Sequence, residues 1–67
     1  MEIVVNSKSV TICNDSTIAQ YLDSLGLADK KAIAVAVNGE IVRKGEYKNF
    51  VIGNGDSLEV VKAIGGG

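Results

Sequence analysis

The chain closes on Ala63-Ile64-Gly65-Gly66-Gly67, and this end is where its residue types could do chemistry. Glycine loses more backbone entropy on ordering than any other residue, so three in a row after a strand add nothing to a fold. They suit a flexible lead instead. Lacking Cβ atoms, they can thread a channel too narrow for other residues. At about 3.3–3.6 Å per residue they carry the Gly67 carboxylate roughly 10 Å beyond Ile64. A frayed terminus has the same composition.

The remaining side chains offer less. Cys13 is the only cysteine and the chain has no histidine, which leaves no set of transition-metal ligands and no internal disulfide. With no basic cluster near it in sequence, Cys13 reads as a small strand hydrophobe rather than a sulfur-handling thiol. Glu40, Glu46, Asp56 and Glu59 fall at no spacing suited to acid–base catalysis and read as solvated charge, with Asp56 shaping its turn. Gly53, Asn54 and Gly55 lack the spacing and lysine of a phosphate loop. Lys30-Lys31 and Arg43-Lys44 are too few to track a nucleic acid.

Composition points the same way. Seven basic against eight acidic residues give a net charge of −1, with no footprint for nucleic acid or a membrane surface. No apolar run approaches the roughly 20 residues that span a bilayer. An apolar fraction of 46% in 67 residues argues for one small domain with a real core. Its stability is expected to be marginal, roughly 3–5 kcal/mol. A lone free cysteine suits a reducing, cytoplasmic setting.

The elements that must position the glycine end can be traced by period. Glu2 to Asn6 and Val10 to Cys13 read as a β-hairpin joined by the turn residues Asn6 to Ser9. Asp15-Ser16-Thr17 offers N-caps, and Thr17 with Gln20 has the spacing of a capping box. Ile18, Leu22 and Leu25, with Tyr21, form the apolar stripe of a helix that Gly26 would end, with Leu27 making the accompanying contact. Ala32 to Val37 predicts a strand with Ile33, Val35 and Val37 on one face and Ala34 and Ala36 on the other. Asn38-Gly39 predicts a type I′ turn into a strand over Glu40 to Arg43. Lys44 to Asn54 reads as irregular, pinned by Tyr47, Phe50 and Val51, and a turn at Gly53 to Asp56 precedes a last strand from Ser57 to Ala63. If Leu58 and Val60 face the core, alternation puts Glu59 and Val61 on the opposite face, where Val61 and Ile64 would form an apolar contact patch. The order is β-β-α-β-β-β: an α+β domain over residues 1–64, one helix across one face of a sheet, and a flexible glycine tail over 65–67.

That order, ending in glycines, looks like the β-grasp fold of ubiquitin-like proteins, and the residues resemble the ThiS family of sulfur carriers of thiamine biosynthesis. The sharpest parts are Ala36-Val37-Asn38-Gly39-Glu40-Ile41-Val42, then Asn54-Gly55-Asp56 with Leu58-Glu59-Val60-Val61, then the closing Ala63 to Gly67. Val4-Val5-Asn6 and Leu25-Gly26-Leu27 also fit, while Arg43 stands where a proline is common and Gly65 where the family varies. The resemblance implies a mixed sheet of four to five strands and a protein that is a co-substrate rather than an enzyme. It implies that the Gly67 carboxylate is adenylated by an E1-like enzyme of the ThiF type, which uses ATP and magnesium. A persulfide supplied by a cysteine desulfurase then displaces AMP, and the resulting thiocarboxylate serves thiazole synthase. Gly65 and Gly66 would pass through the partner's channel, with Ile64 and Val61 in contact; no cofactor or metal would be bound by the carrier itself. Carriers for molybdopterin or another sulfur-bearing metabolite, a ubiquitin-like modifier, and a structural or RNA-associated module are the alternatives.

Overall fold

The structure is a computed structural model and describes residues 1–27 and 33–62. Lys30, Lys31, Ala32, and the end comprising Ala63, Ile64, Gly65, Gly66 and Gly67 lie outside the described residues. Five strands form one sheet: β1 (Glu2–Val5), β2 (Lys8–Thr11), β3 (Ile33–Val37), β4 (Glu40–Val42) and β5 (Ser57–Lys62). Their spatial order is β2-β1-β5-β3-β4. β1 and β5 run parallel, and the other neighbours are antiparallel. One helix, α1 (Ile18–Ser24), and a 3₁₀ turn at Lys44–Glu46 complete the described elements. This is the mixed sheet with one helix that the β-grasp resemblance implies.

The first hairpin turns tighter than its composition suggests. Asn6 and Ser7 both take positive φ, 50° and 70°, so two residues close it. Lys8 and Ser9, expected in the turn, instead pair with Val5 and Val4. At the other end the strand stops at Thr11, short of Cys13, as the chain turns through Asn14 and Asp15, the latter at φ 63°.

The helix begins as its sequence dictates. Thr17 Oγ1 accepts from the Gln20 amide at 3.1 Å, and Gln20 Oε1 accepts from the Thr17 amide at 2.9 Å, a reciprocal capping box. The other early N–H groups find loop carbonyls: Ile18 donates to Phe50 at 3.0 Å and Ala19 to Tyr47 at 2.9 Å. Gly26, at φ 73°, ends the helix in a Schellman arrangement, with Leu27 donating to the Leu22 carbonyl and Gly26 to that of Asp23. Leu27 packs against the core as expected. Leu25 does not continue the stripe. The helix has two turns only, Leu25 is its C-cap, and the side chain is 47% exposed.

Ile18, Tyr21 and Leu22 from the helix meet Ile3, Val5, Ile33, Val35, Val37 and Leu58 from one face of the sheet. Tyr47 and Ile52 close the side of this core, and Phe50 packs against it. Val51 is the exception to the expected set. It lies in an extended stretch bridged to Thr17, where successive side chains point opposite ways, so Ile52 is 1% exposed and Val51 55%.

Candidate functional site

The strand that leads to the glycines is the middle strand of the sheet. β5 pairs with β3 from Leu58 through Lys62, and with β1 at Ser57 and Leu58. Lys62, its last described residue, lies opposite Ile33.

β5 is also held at its start and again at Val60 by asparagines in neighbouring turns. At the start, the Ser57 amide donates to Asn38 Oδ1 at 3.0 Å, and the Asn38 amide donates to the Ser57 carbonyl at 2.7 Å. Asn38 Nδ2 reaches Asp56 Oδ1 at 3.1 Å, while Asp56 Oδ2 accepts from the Gly53 amide at 2.8 Å. Asp56 thus shapes its turn, and Asn38-Gly39 forms the left-handed pair its sequence predicts, at φ 52° and 87°. Further along, the Val60 amide donates to Asn6 Oδ1 at 2.9 Å and Asn6 Nδ2 donates to the Val60 carbonyl at 3.2 Å.

The sheet face away from the helix carries a small apolar patch. Ala34 lies opposite Val61, and Ala36 opposite Glu59 on one side and Ile41 on the other. Leu58 and Val60 face the core, so Val61 points outward as alternation predicts, 58% exposed, and Ile41 stands 73% exposed. Two branched side chains therefore rise on either side of a row of alanines. Ile41 escaped the sequence reading, although the two-residue turn at Asn38-Gly39 fixes the register that sets it beside Ala36. Ile64, Gly65, Gly66 and Gly67 lie outside the described residues.

The other candidates do not assemble into a site. Cys13 is solvent-exposed, not a buried strand hydrophobe, because β2 has already ended. It lies on an open cleft beside Gln20, Tyr21 and Ser24. Glu40, Glu46 and Glu59 are exposed on separate elements. Among the described residues no group of His, Cys, Asp or Glu could hold a metal ion, and no helix is long and apolar enough to cross a membrane.

Comparison with known proteins fits this geometry. The ThiS family model matches residues 1–67. A crystal structure of the thiamine biosynthesis protein ThiS from Geobacter metallireducens superposes with a TM-score of 0.85 at 26% identity, covering 100% of both chains. SAMP1 from Haloferax volcanii shares the fold, with a TM-score of 0.59 at 23% identity over 98% of this chain and 97% of that one. A thiazole synthase from Paramagnetospirillum magneticum is 37% identical over all 67 residues, and the chain spans 20% of that protein's length. With the family pattern matched from the first residue to the last glycine, and the fold shared with a ThiS crystal structure, the chain belongs to the ThiS family.

Proposed function

We propose that this ThiS-family chain, a sulfur carrier of thiamine biosynthesis, works through the carboxylate of Gly67, and that it is a co-substrate rather than an enzyme. The family match over residues 1–67, which includes the glycine end, is the observation that carries the reading. A carboxylate resists attack because its leaving group would be an oxide. Transfer of AMP from ATP gives an acyl-adenylate with a good leaving group and releases pyrophosphate; magnesium on the ThiF-type enzyme offsets the phosphate charge. A persulfide, formed with a cysteine desulfurase, attacks the carbonyl and displaces AMP. A thiol then cleaves the resulting sulfur–sulfur bond, becoming a disulfide with the former persulfide sulfur and leaving the thiocarboxylate on Gly67. None of these steps asks for a side chain on the carrier.

Gly65 and Gly66 supply the narrow passage to the partner's site. Ordering the tail costs roughly 1–2 kcal/mol per residue, so affinity must come from a docking surface elsewhere. Val61 and Ile41 on the outer sheet face, with Ile64 next along the chain, are that surface. The thiazole synthase relative supports the acceptor: a segment like this chain makes up 20% of that protein's length.

Removing Gly66 and Gly67 tests the proposal. The shortened chain should keep its circular dichroism spectrum and urea midpoint, yet support no ATP–pyrophosphate exchange by the adenylating enzyme. Undiminished exchange would contradict a reacting Gly67. Higher-mass conjugates to lysines in place of a thiocarboxylate would indicate a protein modifier.

A further inference from the structure

The Asn6 carboxamide takes the place of a missing piece of strand. Along the parallel pair β1–β5, the Val4 amide donates to the Asp56 carbonyl and the Asn6 amide to the Leu58 carbonyl, both at 2.9 Å. A continuing parallel strand would next accept from the Val60 amide with the Asn6 carbonyl. It would then donate to the Val60 carbonyl from the amide two residues on. The main chain offers neither, because Asn6 sits at φ 50° and the chain reverses through Ser7 into β2, where Lys8 pairs back to Val5. The side chain supplies both: Oδ1 accepts from the Val60 amide and Nδ2 donates to the Val60 carbonyl.

Few residues meet these demands together. The position needs tolerance of a left-handed backbone, and a short arm carrying an acceptor and a donor side by side. Aspartate lacks the donor, glutamine is one methylene longer, and glycine has no arm. Beyond Leu58, β3 holds one side of β5 as far as Lys62, while on the β1 side the carboxamide bonds the strand at Val60.

We propose that Asn6 is a positioning residue for the carrier reaction: it fixes Val60, and with it the last part of β5, from which the chain continues to the terminal carboxylate. This rests on the reading of Gly67 as the reacting end. An enzyme that accepts one arrangement of this strand binds the carrier more weakly as the fraction of molecules presenting it falls. Loss of Asn6 should therefore raise KM for the carrier and leave kcat unchanged.

The test compares wild type with Asn6→Gly, which keeps the left-handed turn but not the carboxamide, and with Asn6→Asp, which keeps the acceptor alone. Amide hydrogen exchange at Val60 should accelerate about tenfold in Asn6→Gly relative to the β3 amides, as two lost hydrogen bonds require. KM in ATP–pyrophosphate exchange should rise at least about threefold at constant kcat. Asn6→Asp should fall between the two, and it carries the test if the glycine variant fails to fold. Equal acceleration at Val60 and across β3, or an unchanged KM beside an active wild type, would overturn the proposal. A wild-type chain that the enzyme does not adenylate would sink the carrier reading itself and the positioning role with it, before any variant is compared.

Discussion

Tyr21 is buried in the core beneath the sheet, and burial pushes its phenol above the ordinary value of 10.0 because the charged form is the costlier one to bury. The unfolded chain therefore gives up this proton first as pH rises. The contribution to stability is complete below pH 10.0 and is lost as the pH climbs through the raised folded value. Wild type should lose stability to alkali more steeply than Tyr21→Phe, measured as urea midpoints from about pH 8 to about pH 11. Parallel curves would contradict this. Local residue chemistry was legible where partners are near in sequence: Thr17 with Gln20, and Asn38 with Gly39, behave as their spacing dictates. The Asn6 carboxamide was not, since its partner Val60 is 54 positions away and only the parallel pairing of β1 with β5 brings them together.

At the level of elements, the loop from Lys44 to Ile52 serves the helix that it wraps. Its carbonyls take the N–H groups of Ile18 and Ala19, and Tyr47 and Ile52 fill the flank of the core. Irregularity here does not mean slackness. Ile52→Ala should cost about 2–5 kcal/mol, enough to unfold much of a domain holding roughly 3–5 kcal/mol. Val51→Ala should change the urea midpoint little, within about 0.5 kcal/mol. The reverse ranking would refute the assigned faces. Val51 points outward although its composition suits the core, because a short apolar run has no phase until something packs against it. By contrast, Ile33, Val35 and Val37 could be phased from the alanines between them. Leu25 misled for a related reason: periodicity marks an apolar stripe but does not tell where two turns of helix stop.

Across the whole molecule, the sheet divides its labour between its faces. One face carries the helix and the core. The other presents Val61 and Ile41 around Ala34 and Ala36, across β5, β3 and β4, and β5 is the strand that leads to the glycines. If this patch docks the partner, Val61→Lys should weaken use by the adenylating enzyme through KM, with a urea midpoint unchanged within about 0.5 kcal/mol. An unaltered KM would move the docking surface elsewhere. The α+β class, the single helix and the inward residues of β3 and β5 were all readable in advance. The middle place of β5 was not, because strand order depends on long-range pairing that no local pattern encodes.

The most direct measurement is fragment mass spectrometry on the chain after incubation with ATP, magnesium, a sulfur donor and the adenylating enzyme. Localisation decides the matter, since oxidation of Met1 or Cys13 changes the mass almost equally. One oxygen replaced by one sulfur in a fragment containing Gly67 is the expected result. An unmodified Gly67, in a mixture whose enzyme loads a known carrier, would contradict the carrier function.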